Sequence, residues 1–429
     1  MKILIVSQYF PPEVGAPAAR IAEIAAAWRE LGDDVRVLTG FPNHPRGRVF
    51  PGYRARIWRG FCRDLHRGVP VYRTWLFPAA NSGTWLRAGN YASFCASAAA
   101  TGACLRFRPD IVIGTSPQIL CALAARGIAR VKRARFIFEV RDIWPESLAA
   151  VSAASESALI YRGIAAIADR LYRAADRVTV VSPAFIPELE ARGVPREKIE
   201  TVLAGYSPRL FHPAAQPADR ALLGARNGDF LVAYIGTIGM AHGTDILLDA
   251  AERLRGEAGI RFAIVGDGAG RHRLQRDLER RGLNNVALLG AKTWAEIPGL
   301  LAACDAVLVT LRDAPLFARV IPTKMLEAMA VGRPLILAVR GQARQMLHQA
   351  GAGLAISPGS VDELVQATLA LRSNPPLAVA MGQCGAAFVR EHHGFPALAR
   401  HYSQLAASLV QPHPAGEPLA KTTTSTPGI

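Results

Sequence analysis

The sequence predicts an α/β protein built from two doubly wound domains, and three observations predict it. Short apolar strands alternate with helical stretches along most of the 429 residues. Those strands are apolar at nearly every position rather than every second one, the pattern of parallel strands covered on both faces. A stretch rich in Pro, Gly and Ala, "AGYSPRLFHPAAQPADRALLGARNGD" over 204–229, divides the series into halves that are each long enough for one domain.

In the first half the expected strands are "KILIV" (2–6), "DVRVLTG" (34–40), "IVIGTS" (111–116), "RFIFEV" (135–140) and "RVTVVS" (177–182). The opening "MKILIVSQYFPP" imitates a secretory signal, but its apolar run from Ile3 to Val6 is too short and ends in a double proline, so it reads as a first buried strand. The longest uncharged run, Ala88 to Leu105, carries Asn90, Ser93, Ser97, Thr101 and two glycines, which makes a poor membrane span. No transmembrane helix is expected. In the second half the strands are "FLVAYIG" (230–236), "RFAIVG" (261–266), "VALLG" (286–290), "AVLVTL" (306–311) and "PLILAV" (334–339). The domains are therefore expected at 1–205 and 206–385, with a C-terminal helix at about 386–410 rejoining the first. From about Gln411 the tail is too polar and proline-rich to bury a core, and residues 411–429 are expected to be disordered.

Fifty Lys and Arg face 34 Asp and Glu, a net charge of +16. The excess is concentrated early: 28 basic against 17 acidic residues up to Gly205, and 22 against 17 beyond it. Such an excess suggests a nucleic acid, an anionic membrane surface or a phosphate-bearing substrate, although genomic base composition alone would also enrich arginine and alanine. Between Arg46 and Arg73 stand eight arginines (46, 48, 54, 56, 59, 63, 67, 73) and one acid, Asp64. They are interleaved with Phe50, Tyr53, Trp58, Phe61 and Tyr72, and Trp75, Phe77 and Trp85 follow. Arginine among exposed aromatics suits an anionic lipid interface or single-stranded nucleic acid. A basic loop with buried aromatics is the plainer alternative. The six cysteines form no CxxC pair and read as buried thiols of a reducing compartment.

In open α/β sheets ligands bind beyond the carboxyl ends of the strands, so the loops there are the places to search. Gly15 lies in "SQYFPPEVGAPAAR", Gly236 and Gly239 in "GTIGMAHGTD", and Gly266 in "VGDGAG". Glycine lets backbone approach a ligand closely, though turns use it as well. Neither a Walker loop nor a complete G-x-G-x-x-G is present. In "PTKMLEAMAVGRP", 322–334, Thr323 is expected as the N-cap of a helix whose opening turn holds both Lys324 and Glu327. A helix start carries free N–H groups and a positive dipole end, so a lysine there calls for an anion. A solvated i,i+3 ion pair is the alternative.

The ordered series "YFPPEVGAPAAR", "AYIGTIGMAHGTDILLDAAERL", "FAIVGDGAGRHRLQ", "LNNVALLGAKTWAEIPGLLAACDAVLVTL" and "PTKMLEAMAVGRPLI" resembles the family 4 glycosyltransferases, retaining enzymes of the GT-B fold. "RDIWPES" and P-[ST]-K-x-x-E resemble a subgroup for exopolysaccharide and O-antigen assembly that includes colanic acid and N-acetylfucosamine transferases. The resemblance runs from Met1 to about Val410 and implies two Rossmann-like domains facing a central cleft, the first on the acceptor side and the second holding a nucleotide-sugar donor. It implies Glu327 on the ribose hydroxyls and Lys324 on the diphosphate, with backbone N–H groups near Thr323 and from Gly236 to Gly239.

Several departures qualify what the resemblance implies. Where the family often has E-x7-E, Arg319 replaces the first glutamate, and Thr237 and His242 stand where an arginine and a lysine commonly grip the diphosphate. Arg319 and Lys324 are expected to supply that positive charge. No D-x-D occurs, which fits an enzyme needing neither metal nor other cofactor. Asp142 and Glu146 are candidates for positioning the acceptor hydroxyl, although Asp142 could equally pair with Arg141 or cap the following turn. The expected reaction is transfer, with retention, of an N-acetylated or deoxy hexose from a UDP-sugar to a polyprenol-linked or growing surface glycan. The enzyme is expected in the cytoplasm, peripheral on the anionic inner membrane, with no nucleic-acid partner. A sugar-nucleotide epimerase of the same fold and a non-catalytic membrane or nucleic-acid binder are the alternatives.

Overall fold

The computed structural model describes residues 1–44, 46–80, 84–116, 118–143 and 158–410; Glu146 and the tail from 411 lie outside them. The first domain runs β1 (Lys2–Val6), α1 (Ala16–Glu30), β2 (Asp34–Gly40), β3 (Phe61–His66), β4 (Val69–Thr74), α2 (Thr84–Cys104), β5 (Ile111–Thr115), α3 (Ile119–Lys132), β6 (Arg135–Val140), α4 (Ala158–Ala174), β7 (Arg177–Val180), α5 (Ile186–Ala191) and β8 (Ile199–Thr201). Its eight strands lie in the order β3-β4-β2-β1-β5-β6-β7-β8, all parallel except the β3–β4 hairpin.

The second domain runs β9 (Phe230–Ile235), α6 (Asp245–Arg253), β10 (Ile260–Val265), α7 (Arg271–Arg281), β11 (Val286–Leu289), α8 (Ile297–Ala303), β12 (Ala306–Thr310), α9 (Thr323–Ala330), β13 (Leu335–Ala338), α10 (Gln342–Ala350), β14 (Gly353–Ala355), α11 (Val361–Ser373) and α12 (Pro375–His392). A last helix, α13 (Phe395–Val410), follows. The six parallel strands lie in the order β11-β10-β9-β12-β13-β14. Each sheet is buried on both faces, since separate apolar clusters occupy its two sides.

All ten apolar runs form strands, and four further strands were not read from the sequence. β3 alternates exposed and half-buried residues at the sheet edge, and β8 and β14 span only three residues each. The chain re-enters the first domain at Phe395, later than 386, because α12 stays packed on α9 of the second domain. α13 then lies along α1: Trp28 Nε1 donates to the Ala399 carbonyl at 2.7 Å and its ring meets Tyr402 edge-on at 5.0 Å. The two crossings between domains run side by side. Tyr206 N donates to His393 O and Phe395 N to Tyr206 O, each at 3.0 Å. Of the cysteines expected to be buried, only Cys121 and Cys304 are; Cys104 and Cys384 are exposed, and all six are free thiols.

The carboxyl edge of the first sheet is fixed by a buried ion pair. Arg20 on α1 donates to both oxygens of Glu139 on β6, at 3.2 and 3.5 Å, and to the carbonyls of Val202 and Leu203 at 2.9 and 2.7 Å. Glu139 is 1% exposed, and Arg141 Nε lies 3.9 Å from the same carboxylate. One guanidinium thereby holds the start of α1, the end of β6 and the segment leading out of the domain.

Candidate active site

Between the domains lies a cleft of about 180 Å³. The start of α1 (Ala16, Pro17, Arg20), the end of β6 (Arg141, Asp142) and Gly205–Tyr206 line one wall; Trp294, Ile321, Thr323 and Glu327 line the other. α9 opens on this cleft because Pro322, with extended backbone, ends the preceding loop. Pro322 rather than Thr323 occupies the N-cap, and no side chain caps the free N–H groups. Thr323 is the first helical residue, and Met325, Leu326, Ala328 and Met329 anchor the other face of the helix in the core.

Lys324 and Glu327 are half-buried and turn in different directions from this one turn. Lys324 reaches under the loop after β9, where its Nζ donates to the Tyr234 hydroxyl at 2.6 Å and sits 4.2 Å from the ring centroid. The Tyr234 hydroxyl in turn donates to the Thr237 carbonyl at 2.6 Å. Among the described residues no carboxylate lies within ion-pair distance of Lys324, and burial pulls its ammonium down to about 7, opposed by the more distant Glu327. Glu327 faces the cleft and accepts from Trp294 Nε1 at 3.5 Å. Burial pushes its carboxyl up to about 7, against the Trp294 hydrogen bond and Lys324.

The loop over Lys324 is built from glycine for steric reasons. Gly236 has φ +150°, and a Cβ there would meet Lys324 Nζ at 2.7 Å. Gly266 has φ +152°, and a Cβ would strike the Gly236 carbonyl at 1.8 Å, so Gly266 sits beneath the loop and lets the two turns touch. Gly239 lies against His242, whose Nδ1 is buried without a hydrogen-bond partner among the described residues. Burial first, then the Lys324 charge, brings His242 down to about 4, so it faces the lysine as a neutral imidazole. Thr237 is exposed at the loop tip.

Across the cleft, Gly15 precedes α1 with φ +149° and exposes the helix start. Arg141 is spent on structure: it donates to Ser116 O at 2.6 Å, Pro17 O at 3.1 Å and Thr115 Oγ1 at 3.3 Å. The carboxylate of Asp142 has no hydrogen bond or ion pair among the described residues, and burial pushes it up to about 6 despite Arg141 beside it. The expected pairing of Arg319 with Lys324 around an anion is not what the side chains do. Arg319 instead forms an ion pair with Glu188 on α5, joining the two domains. Tyr234, Trp294, Arg20 and Arg141 were not singled out in the sequence. A lone tyrosine in an aliphatic strand was the one signal available for Tyr234.

The basic segment divides into two populations. Arg73 is 2% exposed and bound to Asp64, Gly40 O and Pro11 O, Arg67 pairs with Glu23, and Tyr72 is buried. Trp58, Phe61, Leu65, Trp75, Phe77 and Trp85 stay exposed with Arg54, Arg59 and Arg63, Trp58 at 88% and Trp85 at 80%. No helix among the described residues is long and apolar enough to cross a membrane.

A model of the glycosyl transferase 4-like domain matches residues 15–205, and one of glycosyl transferases group 1 matches 229–374, together more than three quarters of the chain. The chain is 28% identical over 381 residues to WcaI of Escherichia coli (strain K12), named as a colanic acid biosynthesis glycosyl transferase, covering 85% of this chain and 90% of WcaI. Anabaena HepE, solved with UDP-glucose, superposes with a TM-score of 0.70 at 19% identity over 95% of this chain and 100% of its own. WaaG, a glycosyltransferase involved in lipopolysaccharide biosynthesis, superposes at 0.66 with 17% identity over 95% and 99%. These two likenesses are of fold.

Burial of Lys324 sets a pH dependence. The folded-state value of Lys324 lies near 7, below its ordinary 10.5, so between those limits the unfolded chain binds more protons and this residue's contribution to stability rises with pH. Urea titrations at pH 7 and 9.5 are expected to show wild type gaining stability relative to Lys324→Met. A difference that stays constant with pH contradicts a buried, anion-free ammonium.

Proposed function

Because the chain belongs to the GT-B glycosyltransferases, with a glycosyl transferase 4-like first domain and a group 1 second domain, we propose that it transfers a hexosyl group, N-acetylated or deoxy, from a UDP-sugar to a lipid-linked or growing surface glycan with retention. The observation that carries the donor half is Lys324, a buried ammonium whose one hydrogen-bond partner among the described residues is a neutral phenol, at the start of a helix beside a glycine loop. A diphosphate there satisfies the ammonium and the free N–H groups together. Glu327, three residues on and facing the cleft, accepts the two ribose hydroxyls.

The chemistry follows from where charge grows. As the bond from the anomeric carbon to the β-phosphate oxygen breaks, positive charge spreads over the sugar ring and negative charge over the leaving diphosphate. Lys324 and the α9 N-terminus stabilise the second charge. The acceptor hydroxyl attacks from the face the diphosphate leaves, which preserves configuration, and no protein nucleophile is assigned. Asp142 lines the opposite wall and orients that hydroxyl, whose proton passes to the departing β-phosphate oxygen on the same face. The reaction uses no metal, in line with the missing D-x-D. HepE binds UDP-glucose, and WcaI is named for a surface polysaccharide, which supports the donor and the acceptor class respectively. The exposed tryptophans and arginines of the first domain lie on an anionic leaflet, keeping the enzyme peripheral at the cytoplasmic face of the inner membrane.

Glu327→Ala is expected to weaken UDP at least tenfold by calorimetry, because each hydrogen bond to a charged group is worth about 1.5–3 kcal/mol. Unchanged affinity in the folded variant removes Glu327 from the site. Transfer is also expected to persist in EDTA.

Replacing Arg54, Arg59 and Arg63 by Ser is expected to reduce sedimentation with acidic liposomes at physiological salt and to leave neutral liposomes unaffected, each basic side chain near the surface being worth about 1 kcal/mol. Equal binding of wild type and variant to acidic liposomes contradicts the membrane reading.

A further inference from the structure

A second, smaller pocket opens at the carboxyl edge of the first sheet, where the β1–α1 loop, the segment after β2 and the start of α2 meet. Tyr9, Asn43, His44, Arg87, Asn90 and Tyr91 surround it, with Ala79 and Ala80 closing one side. That side is held in place because Arg46 bridges to Ala80, and Gly47, at φ +68°, lets the two segments touch; a Cβ there would meet Ala80 N at 2.1 Å. The space is about 10 Å³, room for one water-sized oxygen of a larger group rather than a whole sugar ring.

The floor is a network of side-chain amides. Gln8 Nε2 donates to Asn90 Oδ1 at 2.6 Å, Asn90 Nδ2 donates to Phe77 O at 2.6 Å and Asn43 Oδ1 at 3.4 Å, and Asn43 Nδ2 donates to Phe41 O at 2.9 Å. Behind it Glu13 is held by the backbone N–H groups of Asn43 and His44, both at 2.9 Å, and of Phe10 at 3.4 Å. Asn43 and Asn90 are thus occupied, while Gln8 Oε1 is buried without a partner among the described residues. At the rim stand the Arg87 guanidinium, which only donates, and the His44 ring and the hydroxyls of Tyr9 and Tyr91, which donate and accept. Burial keeps the Tyr9 phenol protonated, and Arg87 makes no ion pair or hydrogen bond among the described residues. Arg87 also follows directly on exposed Trp85 and Leu86, and the loop that carries Tyr9 continues to Ala16 and Pro17 of the central cleft.

We propose that this pocket binds one oxyanion of the acceptor, the phosphate that joins its glycan to the lipid or the carboxylate of an acidic sugar, with Arg87 as its counter-ion. The rest of the acceptor lies outside, its lipid toward Trp85 and its reacting sugar toward the cleft. This assignment rests on the glycosyltransferase reading and adds a chemical class to its acceptor. What selects charge is the Arg87 guanidinium, which only donates and has no carboxylate partner among the described residues, so a ligand oxygen carrying negative charge meets it better than a neutral sugar hydroxyl does.

The test uses the full chain saturated with UDP, so that the central cleft is filled, and saturation-transfer NMR with glucose 1-phosphate, glucuronic acid and glucose. The two anions are expected to bind at least tenfold more tightly than glucose. Arg87→Ala is expected to remove that preference, Arg87→Lys to retain part of it, and both to bind UDP like wild type. Tighter glucose 1-phosphate identifies the anion as phosphate, and tighter glucuronate identifies it as carboxylate; both support the assignment. Glucose binding as well as the anions, neither anion binding, or Arg87→Ala leaving anion binding unchanged overturns it. A wild type that binds no UDP instead defeats the donor reading, and the same titration without UDP then still decides the pocket.

Discussion

The arrangement depends on a lysine ammonium carried beneath the loop after β9, beside the cleft, with no carboxylate among the described residues within ion-pair distance. Moving an ammonium out of water costs several kcal/mol unless a counter-charge replaces the lost solvent. Among the described residues Lys324 meets the Tyr234 hydroxyl, that ring's face and the free N–H end of its own helix, which repels it. Its nearest acid, Glu327, turns toward the other side of the turn and is itself raised by burial. The two groups share one helical turn without forming an ion pair, and the proposed function gives phosphate to Lys324 and hydroxyls to Glu327. A nucleoside diphosphate has both in that order.

The remaining architecture holds this turn against a second wall. α9 is anchored by the core of its own domain, while the facing wall is set by Arg20, whose bonds to Glu139, Val202 and Leu203 fix α1, β6 and the exit from the first domain. The side-by-side crossings at Tyr206 and His393–Phe395 join the domains at one end of the cleft. The Arg319–Glu188 ion pair joins them elsewhere, between a loop of the second domain and a helix of the first. An arginine that looks in the sequence like a diphosphate ligand thus serves as a link between the walls, and the positive charge beside the glycine loop comes from Lys324, with His242 neutral next to it.

What the sequence revealed follows from how local each signal is. A parallel strand buried on both faces is written in four to seven consecutive apolar residues, and all ten such runs form strands. β3 escaped because it lies at an edge and mixes Arg63 and Asp64 with Phe61 and Leu65, the composition of a basic loop. Lys324 and Glu327 were legible because one motif carries both. Trp294, Tyr234, Arg20 and the Glu188 partner of Arg319 were not, since each meets its partner across 33 to 131 residues and its contact exists only after folding. The N-cap was misread by one position because Pro322 itself supplies the extended residue that a Thr323 cap would have provided.

The central claim is that the Lys324 site is empty of charge compensation until a diphosphate arrives, and proton uptake measures that directly. In the free protein the lysine lies near 7, so at pH 8 it is largely neutral, and a bound diphosphate restores its charge. Calorimetric titration of UDP at pH 8 in two buffers of different ionisation enthalpy is predicted to show uptake of about one proton per UDP by wild type, and none by Lys324→Arg, which stays charged throughout. Binding enthalpies that are the same in both buffers for wild type would contradict the account, because the ammonium would then already be charged and compensated without its ligand.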